Sequence, residues 1–304
     1  MKTLTPDLLP IKEKTSIAVG MFDGVHKGHI QLVESIMDKP GAAPLIFTFN
    51  TKPTVDRLIY TSDEKKEIFD SLGVQYYYEQ GFDKAFAGLS PEGFVKMLLN
   101  DFGMTHLAAG FDFRFGKDAA GNTKMLAGYA AQVGFTLDVL PKMAVDGKKV
   151  SSSSIRRLIE RGDMAGAADR MGRFYFIDGM IEGGRRLGNT LGFPTANIHT
   201  KKLLPKHGVY ATIVKLPGGR LLRAVTNVGI KPTVQTEGAP NVETFILDFD
   251  GDIYGERIQV CFVDFIRAEK RFASLEELKA QIAADSGNAA SKLADLSVYN
   301  AYII

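Results

Sequence analysis

Residues 19–32 read VGMFDGVHKGHIQL, and the order of residue types in that stretch decides how the first half of the chain is read. A short apolar run at 16–19 leads into small and turn-forming residues, then two histidines. An amphipathic helix over 28–38 follows, with Ile30, Val33, Ile36 and Met37 at helical spacing. A strand that turns through glycine into a helix start presents free N–H groups and the positive end of the helix dipole, which favours a phosphate there. His26 and His29, three residues apart across that junction, are placed to face it. Read alone, His-x-x-His is also a capped turn with two solvated imidazoles. A zinc site is the weaker reading, because only three other histidines exist and no third ligand is signalled.

Outward from this stretch, strand-like runs recur at 44–49, 74–78, 106–109 and 135–140, separated by helical patterns at 91–101 and 122–132. The alternation predicts an α/β, Rossmann-like domain whose parallel sheet is covered by helices and binds ligands beyond the carboxyl ends of its strands. After residue 150 the texture changes. A serine run at 151–154 enters one short helix, 155–161, and a second spans 163–171. Strands at 174–181, 208–216, 221–227, 242–249 and 258–265 then follow with Gly-rich turns and no helices between them, the pattern of a small antiparallel β-barrel. Asp250-Gly251-Asp252 suggests a hairpin between the last two strands. Ser274 with Glu277 three residues on starts a C-terminal helix. The expected domains are 1–171 and 172–304.

The 304 residues suffice for two cores, and 45% hydrophobic with 24% charged residues excludes a disordered chain. A net charge of +2 gives no field that would draw nucleic acid or an anionic membrane. Cys261 is the only cysteine, which excludes an intrachain disulfide and a Cys-based metal cluster. With no signal-peptide pattern and no membrane-length apolar run, a cytoplasmic protein is expected; a homo-oligomer is left open. The 31 glycines exceed the usual share of about 7%. Many fall at 20–28 and 183–192.

The second of these regions, EGGRRLGNTLGFPTANIHTKKLLPKHGVYA at 182–211, places Thr195 and Asn197 at i and i+2, on one side of an extended segment. A hydroxyl and an amide oxygen are hard donors suited to Mg²⁺. The same residues also suit a glycine-rich hairpin, and no Walker A sequence is present.

FDGVHKGH at 22–29 resembles the HxGH signature of nucleotidylyltransferases, in the form found in the bacterial bifunctional riboflavin kinase/FAD synthetase family. AGFDFRFGKDAAGN (109–122), SSSSIRRLIERGD (151–163), LGFPTAN (191–197) and FIRAEKRFASLEELKAQI (265–282) are similar to further family motifs in the family's order. The resemblance implies riboflavin phosphorylation by MgATP in the C-terminal barrel and adenylylation of FMN to FAD, with release of pyrophosphate, in the N-terminal domain. It implies that His26 and His29 contact ATP phosphates, with Phe22, Gly24 and Gly28 in the same loop. Asp112 would line the nucleotide site, and Ser151, Ser152 and Arg156 would close over the β- and γ-phosphates. Gly192, Thr195 and Asn197 would hold metal and phosphates, and Glu243 would be the base for the riboflavin hydroxyl. Arg267 and Phe272 would border the flavin.

Four positions depart from the family pattern. TFNTKP (48–53) has Thr51 and Lys52 where the family has Pro-His, Ser154 replaces an Arg, and Asn189 replaces a basic residue. They keep two rivals open: an enzyme with one working activity, most simply a kinase with a weakened adenylyltransferase, or a flavin-binding regulator without turnover.

Overall fold

A computed structural model of the chain describes residues 1–50, 58–181, 195–200, 202–230 and 240–304. It divides into two compact units, Met1–Ser152 and Ser153–Ile304.

The first unit runs β1 (Lys2–Leu4), β2 (Thr15–Val19), α1 (Lys27–Met37), β3 (Ala43–Asn50), α2 (Ser62–Ser71), β4 (Tyr76–Gly81), α3 (Lys84–Ala87), α4 (Pro91–Phe102) and β5 (Met104–Gly110). There follow β6 (Arg114–Phe115), β7 (Gly121–Asn122), α5 (Thr123–Val133), β8 (Thr136–Leu140) and a hairpin of β9 (Ala144–Val145) and β10 (Lys148–Lys149). Six strands form a parallel sheet in the order β1-β4-β3-β2-β5-β8. From β2 the chain winds outward through β3 and β4, then returns to place β5 and β8 on the other side. The carboxyl ends of β2 and β5 therefore flank the switch point, where open α/β sheets bind ligands.

All five residues of β2 are buried, as a strand covered on both faces requires. One face of the sheet packs Ile17, Phe47 and Leu107 against Phe94, Leu98 and Phe102 of α4. The Phe102 ring meets Phe47 at 5.3 Å and Tyr78 at 4.8 Å between centroids. Burial of one such ring contributes about 2–3 kcal/mol. Ser90 caps α4 by accepting the Gly93 N–H at 3.0 Å, as the Ser-Pro entry predicts.

After the first residue of α6 (Ser152–Arg161), the second unit runs through the rest of that helix, α7 (Met164–Met171), β11 (Tyr175–Met180), β12 (Thr195–Ile198), β13 (Gly208–Lys215), β14 (Leu221–Ile230), β15 (Pro240–Ile246), β16 (Arg257–Arg267) and α8 (Leu275–Lys292). Its strands form an antiparallel sheet in the order β11-β16-β13-β14-β15-β12. Register shifts between β13 and β16 bend the sheet into a half-barrel. The two outermost strands meet where Gly179 faces Ile198: a Cβ on Gly179 would lie 2.5 Å from the Ile198 Cγ2. The expected hairpin between the last two strands does not form, since β15 and β16 are not ladder neighbours. β16 instead fills the space between β11 and β13, and the edge of β15 is taken by β12, which carries Thr195 and Asn197.

Candidate active sites

The loop between β2 and α1 has an unusual backbone. Phe22, Gly24 and Val25 have φ of 50°, 83° and 33°. Left-handed conformations cost a non-glycine residue about 1–3 kcal/mol, and a β-branched side chain adopts them rarely. Both Phe22 and Val25 are fully buried, so packing holds what the backbone resists. Gly24 is required twice over: its φ is positive, and a Cβ would meet the Ile59 Cδ1 at 2.9 Å. Around the same turn the Ile59 N–H donates to the Asp23 Oδ1 at 2.9 Å, and the Ser152 hydroxyl donates to the Asp23 carbonyl at 2.7 Å.

That loop delivers His26 as the N-cap of α1. Its Nδ1 accepts the His29 N–H at 3.3 Å, so the neutral ring carries its proton on Nε2. The two imidazoles stack at 3.6 Å with planes 11° apart, and the buried Phe22 ring sets its edge against His29 at 5.2 Å. Gly28 lies beneath them, where a Cβ would reach 3.4 Å from the His26 ring.

A cavity of about 720 Å³ opens at the carboxyl ends of β2, β5 and β8, and it has two chemical ends. His26, His29, Ser151, Ser152, Lys142 and Lys149 make one wall polar and cationic. At the other end lie Phe49, Phe82, Phe86, Phe94, Phe113 and Phe115. Phe49, Phe82 and Phe86 form a three-ring box with centroids 5.4–5.9 Å apart, and Phe113 lies parallel to Phe115 at 5.6 Å. Phe82 keeps 45% of its surface exposed. Sequence reading missed this aromatic end. Its only signal was a phenylalanine count of 20.

Asp112 is exposed in the loop after β5 and lies 3.8 Å from the Lys149 Nζ, which also sits 5.9 Å over the Phe111 ring. Ser151 and Ser152 are half-buried in the cavity wall. Arg156 belongs to the second unit, on the face of α6 that carries Ser152, by its i,i+4 spacing. Thr51 and Lys52 lie outside the described residues.

In the second unit, strand register assembles the site. Asn197 of β12 is the cross-strand partner of Glu243 of β15, which in turn pairs with Asn227 of β14. Cross-strand partners share a face with Cβ atoms about 4.5–5.5 Å apart. Thr195, two residues before Asn197, shares that face and pairs with Phe245. A hydroxyl, two amides and a carboxylate thus lie side by side across three strands. The Asn197 Nδ2 donates weakly to the Thr195 carbonyl at 3.4 Å, which turns the amide oxygen away from that carbonyl. Asn197 is 5% exposed, while Thr195 and Glu243 are half-buried. Asn227 was not anticipated, because only the pairing of β14 with β15 brings it to Glu243. Gly192 and Asn189 lie outside the described residues.

Arg267 closes the far end of β16. Its Nε lies 3.0 Å from both Asp285 oxygens and its Nη2 lies 2.7 Å from Oδ2, while its guanidinium sits 5.8 Å from the Phe272 ring. That pairing ties β16 to α8, so Arg267 has a structural partner whatever else it touches.

Known proteins resemble this chain over most of its length. A riboflavin kinase family model matches residues 171–293, and an FAD synthetase family model matches 9–154. The chain is 32% identical to the bifunctional riboflavin kinase/FMN adenylyltransferase of Bacillus subtilis over 292 residues, covering 91% of this chain and 92% of that one. The protein of the same description from Listeria monocytogenes is 34% identical, with 88% and 89% covered, and that of Escherichia coli K12 is 33% identical, with 90% and 91% covered. A crystal structure described as a macrolide-efflux protein from Streptococcus pneumoniae superposes with a TM-score of 0.82 at 28% identity, covering 94% of this chain and 98% of that chain. Among the described residues no helix is long and apolar enough to cross a membrane.

Proposed function

The chain belongs to the bifunctional riboflavin kinase/FMN adenylyltransferase family, and on that premise we propose how its two sites divide the work. The enzyme phosphorylates riboflavin with ATP to give FMN and ADP, then adenylylates FMN with a second ATP to give FAD and pyrophosphate. Residues 1–171 form the adenylyltransferase domain and 172–304 the kinase domain.

In the kinase, Glu243 accepts the proton of the riboflavin 5′-hydroxyl as that oxygen bonds to the γ-phosphorus and the bond to ADP breaks. The register that aligns Asn197, Glu243 and Asn227 carries this assignment, because it sets a carboxylate beside two amide side chains on one face. The donor set of Thr195 and Asn197 fits Mg²⁺, a hard ion that takes few protein ligands and completes its shell with water and phosphate. When bound there it would offset charge on the transferring phosphoryl group. The family resemblance adds Gly192 to these phosphate-binding residues.

In the adenylyltransferase, the phosphate of FMN is already anionic near neutral pH, so its oxygen attacks the α-phosphorus of ATP without a protein base. The demand is for donors where charge builds on the nonbridging oxygens. His26 offers an Nε2–H and His29 stacks against it at the start of α1. Ser151 takes the departing pyrophosphate, and Asp112 with Gly28 borders the nucleotide. The aromatic end of the cavity takes the isoalloxazine ring, which offers a flat apolar face to the phenylalanine box.

Riboflavin with MgATP, followed by chromatography of FMN and FAD, tests the whole reading. Absence of FMN would defeat the kinase assignment, and FMN without FAD would defeat bifunctionality. A His29→Ala enzyme with undiminished FAD output would remove the histidine pair from the site.

A further inference from the structure

Asp23 stands between the two histidines and the serine motif, yet its side chain does not line the cavity. It is 8% exposed, and its carboxylate accepts the backbone N–H of Ile59 while its carbonyl accepts the Ser152 hydroxyl. Three of the residues around it, Phe22, Gly24 and Val25, have positive φ, so the turn has no intrinsic preference for the shape it holds. Its contacts must impose that shape. Gly24 packs directly beneath the same Ile59 whose N–H the carboxylate holds, so one residue fixes the turn by hydrogen bond and by contact. Three residues after Asp23, His26 caps α1 and sets the stacked pair.

From this geometry we propose that Asp23 is a positioning residue for adenylyl transfer, clasping the strained turn between Ile59 and Ser152 so that His26 and His29 meet the α-phosphate in register. Ser152 then acts through the Asp23 carbonyl rather than on a phosphate. The role asked of the carboxylate is acceptance of the Ile59 N–H. The inference rests on reading the first unit as the adenylyltransferase site.

The test uses the full-length enzyme and measures kcat and KM for ATP in FAD formation, with riboflavin phosphorylation followed on the same preparations. Asp23→Ala and Ser152→Ala should each lower kcat for FAD formation by about tenfold to a hundredfold, the scale of one lost hydrogen bond to a strained element. KM for ATP should stay within about threefold, since no substrate contact is removed. Asp23→Asn keeps an acceptor oxygen and should recover to within about threefold of wild type. In the Asp23→Ala/Ser152→Ala double variant the losses should not multiply, because a turn already released has little left to lose.

Several results would overturn the proposal. Asp23→Asn as damaged as Asp23→Ala would mean that the charge itself acts. Ser152→Ala raising KM for ATP at unchanged kcat would mean direct phosphate contact. Fully multiplicative losses would mean two independent roles. Should Asp23→Ala fail to fold, the Asp23→Asn and Ser152→Ala arms decide alone. A His29→Ala enzyme run alongside separates the two levels. If it retains full FAD output the site reading fails; if it is inactive while the Asp23 and Ser152 variants behave as wild type, only the clasp fails.

Discussion

Gly24→Ala is the smallest change that probes the strained turn, since it adds one methyl group and removes no polar partner. Its cost has two parts. An L-residue held at φ of 83° pays about 1–2 kcal/mol for the left-handed conformation. The new Cβ would also sit 2.9 Å from the Ile59 Cδ1, when carbon atoms settle at about 3.5–4.0 Å. Ile59 is fully buried and its N–H is bonded to Asp23, so it yields only by disturbing the core or the turn. Overpacking of that kind costs about 1–3 kcal/mol. The sum, about 2–5 kcal/mol, falls on a turn that relaxes locally more cheaply than the domain unfolds. The variant should therefore fold, with the turn displaced in most molecules. Each 1.4 kcal/mol is tenfold in population, so FAD formation should drop at least about thirtyfold. FMN formation by the same preparation should be unchanged. Stopped-time chromatography of both flavins measures the two rates in one reaction. FAD formation within about threefold of wild type would show that the turn's shape is not coupled to catalysis.

Other outcomes follow from the same structure. Glu243→Gln keeps size and hydrogen bonding but removes the base, so FMN formation should fall by about 10²–10⁴-fold while added FMN is still converted to FAD. Loss of both activities would mean the two sites are not separate. Asp285→Ala strips Arg267 of its buried partner and should destabilise the enzyme by about 3 kcal/mol in a denaturant titration. No change would mean α8 is held elsewhere. Burial, with Lys39 close by, lowers the His106 imidazole below its ordinary value, against the opposing pull of Asp138 at 3.3 Å. As pH falls through the ordinary imidazole value of about 6.5, the unfolded chain takes up the proton first, and stability is lost from there down to the lower native value. The denaturant midpoint should fall as the pH drops through about 6.5, and His106→Asn should flatten that slope.

The sheet of the first unit was legible because its strands are short apolar runs between amphipathic helices, and periodicity alone separates the two. α2 escaped the same test for a physical reason. Its buried face is Glu64, Lys65, Ile68 and Phe69, so half of the residues it hides are charged. Lys65 is accommodated by Glu79 at 3.2 Å, and Glu64 by the capping box with Thr61. A pattern that scores only apolar residues cannot see a helix whose inner polar groups are satisfied by a capping box and an ion pair. β1 escaped because three residues at the edge of a sheet carry no period at all.

The sites divide along a similar line. Motifs that act within one segment could be read directly: His26 caps the helix that carries His29, and Thr195 and Asn197 alternate along one strand. What completes each site comes from pairing order, which the chain does not write locally. Glu243 is two strands removed in sequence from Asn197 and becomes its neighbour only because β15 gives its outer edge to β12, leaving the anticipated hairpin with β16 unformed. Asn227 joins them through β14 for the same reason. The phenylalanine box draws on β3, the segment after β4, and α3. The Asp23 turn was beyond reach in another way. Nothing in the residue types of Phe22 or Val25 announces a positive φ, since both are poor candidates for it, and the burial of those side chains with the grip of Ile59 and Ser152 helps hold the conformation. Such a turn should be sensitive to changes away from the cavity: among the described residues Ile59 does not line it, yet loss of Ile59 should loosen the turn that leads into His26.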